Sequence, residues 1–365
     1  MKEGWEYKKL GEVGLVVTGS TPSTKDSENY NSRDYCFVKP SDIPKKGTSV
    51  LSNTEFYIST KAYNSSRKLP KGSVLTTCIG IIGKVGVLGV DATCNQQINA
   101  IIPNPNIILS SFLAFSILSI RKQLEKKANA PVVPIINKKD FSNSIIVVPP
   151  LSEQQRIVEE LDLLSSIIGK KKEQLKELDN LAQSIFYDMF GDPVTNEKGW
   201  EVKKLGEVYK LKSGEGLSAK QFVSGPFPVY GGNGISGHHN SYNMDGDYVI
   251  IGRVGVYCGN VRFVKGKFWL TDNAFQLFYD MNKQNPVFIT YMLTYLNLHQ
   301  YANHAAQPVI SNATLKEVNI IFPHPSLQQQ FASKIEAIER QKELIKQSIK
   351  EVETLFSSRM DYYFN

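Results

Sequence analysis

Histidine and cysteine are scarce: the 365-residue chain holds 5 of the first and 4 of the second. Cys36, Cys78, Cys94 and Cys258 show no C-x-x-C spacing, which excludes the paired zinc and redox motifs and reads as reduced, buried thiols of an intracellular, cytoplasmic protein. His238 and His239 are adjacent, and His299 and His304 lie five apart, so neither pair suits metal ligation from one helix face. The phosphate-binding G-x-x-x-x-G-K-S/T, the H-E-x-x-H zinc motif and the D/N-P-P-Y/F of amino-methyltransferases are missing. "VYGGNGISG" (229–237) is glycine-rich but departs from the dinucleotide fingerprint and reads as a tight loop. Long hydrophobic runs are missing too. The most apolar stretch, "IILSSFLAFSILSI" (107–120), is too short for a bilayer and rich in serine, so it reads as a buried helix. Gly4-Trp5-Glu6 interrupts any N-terminal apolar run, so no secretory leader is expected. No cofactor, metal or membrane partner is expected.

What the chain has instead is repetition, and repetition sets architecture. "GWEYKKLGEV" (4–13) returns as "GWEVKKLGEV" (199–208), with nine of ten residues identical. "SIIVVPPLSEQQ" (144–155) resembles "NIIFPHPSLQQQ" (319–330); each is an apolar strand, a proline stop and a glutamine run opening a helix. Between them, "GSVLTTCIGIIGKVGV" (72–87) matches "GDYVIIGRVGVYCG" (246–259) loosely, and "NQQINAI" (95–101) corresponds to "DNAFQLF" (272–278). The changing offset means loops of different length, in the order globular segment, helix, globular segment, helix.

The helices carry the clearest pattern. One apolar seam runs Ile157, Leu161, Leu164, Ile168, Lys171, Leu175, Leu178, Ala182, Ile185, Met189; the other runs Phe331, Ile335, Ile338, Lys342, Ile345, Ile349, Val352, Phe356. Steps of four and three alternate throughout, the heptad seam of a coiled coil. Each seam holds one lysine, with two readings: a polar residue that fixes register and partner, or a long side chain that snorkels to water. Gly191 and Pro193 end the first helix. From 157 to 189 it is roughly 50 Å long at 1.5 Å per residue, and alone it would not be stable in water. Its natural partner is the second helix, antiparallel through an internal pseudo-twofold, as a rod with a globular domain at each end. The globular segments combine short β-branched runs with helices near 107–128 and 286–303, twisted antiparallel sheet with many loops. The expected fold class is α+β: two α/β domains joined by two long helices in an antiparallel coiled coil. The expected boundaries are 1–150, 151–192, 193–324 and 325–365.

Charge points to an acidic partner. The net charge is +7, and residues 1–150 hold the largest excess, 19 Lys and Arg against 11 Asp and Glu. Asp192 followed by Glu201-Val202-Lys203 imitates a nuclease metal site, but the equivalent Glu6-Tyr7-Lys8 has no acid upstream at that spacing. Twin domains, a rod and no visible active site favour binding over catalysis, and DNA suits two sites at fixed spacing. A protein scaffold with twin binding domains is the alternative.

The order of segments resembles the specificity subunit of type I restriction–modification systems. The resemblance rests on "GWEYKKLGEV", "TGSTPSTKD" and "FVKPSDI" in the first half, and on "GWEVKKLGEV", "FPVYGGNGISGHHNSY", "VIIGRVGVYCGNV" and "PPLSEQQRIVEELD" thereafter. One departure is "HPSLQQQF", where Gln328 stands in place of Glu153 and puts that helix cap in doubt. The resemblance implies two target recognition domains, each reading half of a bipartite motif in double-stranded DNA. It implies helices that set the spacer and dock two methyltransferase subunits, restriction subunits joining through the complex, and no catalysis in this chain. Residues in polar or glycine-rich loops are the candidate DNA contacts: Ser20, Thr21, Ser23, Lys25, Lys39, Ser41, Arg67, Lys84, Gln96 and Gln97, then Tyr230, Asn233, His238, His239, Arg253, Tyr257 and Asn273. Arg253, near Gly252 and Gly255, is the foremost of these, with a sheet-closing salt bridge as its rival role.

Overall fold

The computed structural model describes residues 4–128, 133–303 and 305–364. The chain divides into two compact units, one formed by residues 1–172 and 347–365, the other by 173–346. Each is built on the same frame.

In the first unit, strand β1 (Glu6–Lys9) is followed by β2 (Gly14–Thr18), β3 (Tyr35–Val38), β4 (Val50–Leu51) and β5 (Phe56–Ile58), then helix α1 (Thr60–Ser65). Next come β6 (Val74–Thr77), β7 (Val85–Leu88), β8 (Ala92–Cys94) and β9 (Ile98–Pro103). Helices α2 (Ser110–Ser119), α3 (Arg121–Lys127) and α4 (Lys138–Ser142) and strand β10 (Ile145–Val148) lead into the long α5 (Leu151–Phe190). The main sheet has the order β2-β9-β6-β7-β4, beside a three-stranded sheet β5-β3-β8. The serine-rich apolar stretch breaks at Ile120 into α2 and α3, so the expected helix over 107–128 is two helices. Phe112, Leu113, Phe115 and Ile117 of α2 are buried against Val74, Val85 and Ile101 of the sheet.

The second unit holds β11 (Val202–Lys204), α6 (Leu205–Val208), β12 (Lys210–Ser213), β13 (Phe227–Gly231), β14 (Gly234–His239), β15 (Met244–Gly252), β16 (Val261–Leu270) and β17 (Ala274–Phe278). These are followed by α7 (Pro286–Tyr295), α8 (Asn312–Lys316), β18 (Asn319–Ile321) and α9 (Pro325–Phe364). Its sheet runs β12-β17-β15-β16-β13-β14. Strand for strand this repeats β2-β9-β6-β7-β4, down to the parallel pairing of the fifth strand, β4 on β7 and β13 on β16. The sheets are therefore mixed, not purely antiparallel. The helix expected over 286–303 stops at Tyr295 and continues as a short 3₁₀ turn, Leu298–Tyr301.

The repeated decamer has a physical explanation. β1 pairs antiparallel with β10, and β11 with β18, so each copy ladders onto the strand that launches a long helix. Glu6 bridges Lys8 at 2.6 Å and Glu201 bridges Lys203 at 3.3 Å. Glu12 accepts from the Lys9 amide at 2.8 Å, and Glu207 from the Lys204 amide at 2.9 Å. Leu10 and Leu205 are fully buried.

The glutamine runs are the second shared device. Gln154, wholly buried, accepts from the Leu109 amide (2.9 Å) and donates to the carbonyls of Ile107 (2.9 Å) and Pro149 (2.8 Å). Gln328, equally buried, accepts from the Asn285 amide (2.9 Å) and donates to Pro323 (2.8 Å) and Lys283 (3.4 Å). Gln328 thus does the work of Gln154, and Leu327 occupies the place of Glu153. The alignment of Gln328 with Glu153 is one residue out of register.

Within each unit the helices run antiparallel. In the first, Glu160 pairs with Arg359 at 2.7 Å and Lys172 with Glu353 at 2.9 Å. In the second, Lys342 pairs with Asp179 at 2.7 Å, and the rings of Phe186 and Phe331 meet at 5.6 Å. Ile157, Leu161, Leu164, Ile335, Ile338 and Ile349 are buried, whereas Ile168, Leu175, Leu178, Ile185, Ile345, Val352 and Phe356 are half-buried. Phe186, Phe190, Phe288 and Phe331 pack together with no exposure, each contributing about 1.5–3 kcal/mol by burial. Of the seam lysines, Lys342 is pinned between Asp179 and Glu339, both at 2.7 Å. Burial opposes its charge, but the two acids win and hold its pKa above the ordinary lysine value. Lys171 is half-buried without an ion pair among the described residues.

Candidate nucleic-acid interface

In the first unit the chain folds several predicted contacts into one cluster. The Gly19 amide bonds to Ile98 and the Ser20 amide to Cys94, each at 2.9 Å. A Cβ on Gly19 would lie 2.1 Å from the Asn95 carbonyl oxygen, so only glycine permits this approach. Arg67 donates to the carbonyls of Thr18 and Gly19, and the Thr21 hydroxyl donates to Gln96. Gln97 accepts from the Asn95 side chain (2.9 Å), and the Asn95 amide bonds to Val38 (3.1 Å), which puts Lys39 beside them. Ser20, Thr21, Lys39, Arg67, Gln96 and Gln97 therefore share one loop cluster. Ser23 and Lys25 continue the first loop, and Lys25 is exposed with no ion pair among the described residues.

The loop from Lys39 to Gly47 is held from four sides. Ile43 is buried, Asp42 accepts from the amides of Lys39 (2.7 Å) and Glu55 (3.0 Å), and Arg121 donates to the Lys45 carbonyl (3.1 Å). The fourth hold is Lys84, whose ammonium donates to the Pro40 carbonyl. Lys84 is 6% exposed, and burial, joined by the Lys45 charge, lowers its pKa. That placement gives it a loop-holding job. Ser41 is exposed on the loop, Lys39 lies over the Phe56 ring at 3.0 Å, and Lys45 and Lys46 are exposed. These last two were missed from sequence; a basic dipeptide inside "IPKKG" was the available signal. Arg33, over the Tyr57 ring at 4.2 Å, was missed as well.

In the second unit the candidates separate into packing and surface. His239 is buried, accepts from the Val223 amide (3.1 Å) and meets Trp269 edge-on. Tyr230 packs edge-on against Phe268 at 5.4 Å. Arg253 lies over Phe275 (4.9 Å) and donates to the Ser213 hydroxyl (3.1 Å). No carboxylate pairs with it among the described residues, so the sheet-closing salt bridge weighed for it is not formed; the residue is half-buried. His238 and Tyr257 are exposed, and Asn233 and Asn273 line one cavity of about 430 Å³.

Features of an enzyme are not assembled. Asp192 accepts from the Val194 amide (2.7 Å) and shapes the turn after α5, while Glu201 is engaged by Lys203. Among the described residues no group of three or more His, Cys, Asp or Glu is placed to hold a metal, and no helix is long and apolar enough to cross a membrane. All four cysteines are free and buried; His304 lies outside the described residues.

A model of the type I restriction modification DNA specificity domain matches residues 2–179 and again 197–354. The chain belongs to that family. It is 27% identical over 372 residues to the EcoprrI specificity subunit of Escherichia coli, covering 97% of this chain and 91% of that one. It is 31% identical over 236 residues to the MjaIX specificity subunit of Methanocaldococcus jannaschii, covering 60% and 54%. Its fold is that of a solved S subunit from M. genitalium, with a TM-score of 0.64 at 15% identity over 99% of this chain and 96% of that one. A chain from a solved type I R-M system gives 0.60 at 18% identity over 99% and 97%. This specificity subunit is a non-catalytic, DNA sequence-recognition component, and its membership implies DNA, methyltransferase subunits and restriction subunits as partners.

Proposed function

We propose that each unit is a target recognition domain, bounded at 1–150 and 193–324, that reads one half of a bipartite DNA motif. The helical segments 151–192 and 325–365 set the unread spacer and dock two methyltransferase subunits, through which restriction subunits join. The observation that carries this reading is the pairing of a shared frame with unshared loops. Strand order, decamer ladder and buried glutamine repeat, while the three-stranded sheet β5-β3-β8 and the hairpin strand β14 belong to one unit each. A repeated frame suits two copies of the same partner; different loops suit two different half-sites. The cluster around Ser20, Thr21, Lys39, Arg67 and Gln96, with Lys25, Ser41, Lys45 and Lys46, is the proposed surface of the first domain, and Asn233, His238, Tyr257 and Asn273 belong to that of the second. The four free thiols support a cytoplasmic location.

The test is a genome-wide map of methylated adenine with and without this chain. Loss of methylation at one bipartite motif on deletion is the expected result. An unchanged map, with the methyltransferase expressed, refutes the reading and favours a protein scaffold.

A further inference from the structure

One cavity of the second unit, of about 430 Å³, is unusual in what lines it. Three carboxamides, Asn233, Asn273 and Gln307, line it, and among the described residues none of those in its wall is ionisable. Their side chains make no hydrogen bond to any described residue, while the backbone at or next to each is held. Asn233 sits at the tip of the β13–β14 hairpin, where its carbonyl accepts from Arg262 at 3.3 Å. The next residue back, Gly232, presses on the facing turn so closely that a Cβ would lie 2.3 Å from the Val254 carbonyl oxygen. Asn273 accepts through its carbonyl from the Arg253 amide at 3.0 Å. Gln307 precedes Pro308, whose carbonyl accepts from Gly255 at 2.9 Å, and Val309 bridges Val254. Phe222 and Ile235 supply apolar wall.

Such a wall carries no full charge that would favour a phosphate or a metal ion over a neutral ligand. Neutral donor–acceptor pairs beside apolar surface match the edge of a nucleobase presented in a groove. A carboxamide pairs bidentately with adenine, accepting from N6 and donating to N7. We propose that this cavity is the base-reading site of the second half-site, that its ligand is an adenine base, and that Asn273 and Gln307 determine specificity there, with Asn233 as the third contact. The proposal rests on the reading of this unit as a target recognition domain.

The test uses the complete methyltransferase assembled with Asn273→Ala or Gln307→Ala chains, after confirming that each variant melts like the parent. Methylation is mapped and binding measured on duplexes varied base by base. The expected result is loss of discrimination at one A·T position of the second half-site, by roughly 5- to 150-fold, with the first half-site read as before. Unchanged preference at every position overturns the proposal, and so does an equal loss on all sequences, which marks a sequence-blind contact. If the parental complex itself methylates no bipartite motif, the recognition reading falls and this proposal falls with it.

Discussion

Replacing Gln154 by alanine removes three hydrogen bonds at a fully buried position. The Leu109 amide and the carbonyls of Ile107 and Pro149 are left without the partner that joins the start of α5 to the segment before α2. An unsatisfied buried group costs about 1–3 kcal/mol, and partial rescue by water at the three sites leaves a total of about 3–5 kcal/mol. At about 2–4 °C per kcal/mol for a unit of this size, the melting temperature falls by about 6–20 °C. Gln328→Ala should act in the same direction but less strongly, because its bond to Lys283 is 3.4 Å. Gln154→Glu keeps the size but turns a carboxylate toward two carbonyls, so it should destabilise at least as much as alanine near neutral pH. Differential scanning calorimetry of the full chain measures all three. A shift below about 2 °C for Gln154→Ala would refute the view that this side chain staples α5 to the segment before α2.

Lys45→Gln and Lys46→Gln should each lower the slope of log K against log salt by about 1, whereas Lys84→Met should weaken binding with the slope unchanged, because it holds a loop rather than a phosphate; titrations from 50 to 200 mM salt separate the two. Lys342→Met should destabilise by about 1–2 kcal/mol, since it removes one partner and leaves the largely exposed Asp179 and Glu339 facing each other, while Lys342→Glu sets three acids together and should destabilise further on urea unfolding. The raised pKa of Lys342 means that its pair stabilises fully below the ordinary value of 10.5 and is lost only as pH climbs through the higher folded value, so urea midpoints of the parent and of Lys342→Met should converge above that pH. Burial pushes Cys78 and Cys94 up to about 12, so both should resist a thiol-specific disulfide reagent at pH 8 until the chain is unfolded.

The helices were legible because heptad spacing is a local property that survives any tertiary context. The segments expected to begin at 151 and 325 are the helices α5, from Leu151, and α9, from Pro325, each opening one turn or more before the first seam residue, Ile157 or Phe331. Strand runs were legible, and their order was not, because pairing joins residues such as Val50 and Val87 that no local pattern connects. Among the site residues, His239 and Lys84 looked available because polar side chains in loop-rich sequence are usually exposed. Both are buried, through partners on Val223 and Pro40, while Tyr230 stays half-buried against Phe268. The seam lysines could not be told apart in one dimension. The two helices are of equal length, so Lys342 corresponds to Ile168 and Lys171 to Ile345; only Lys342 faces an acid across the pair.

The shared frame also divides the chain by how freely each position can drift. Leu10, Glu12, Gln154 and their counterparts Leu205, Glu207 and Gln328 answer to folding alone, so a change there is penalised whatever sequence the protein must find. Ser41, Lys25, Asn233 and Gln307 make no contact on which the frame depends, and a change there is invisible to folding. New recognition can therefore be explored at the loops without passing through an unfolded intermediate, and one half can wander while the other stands still.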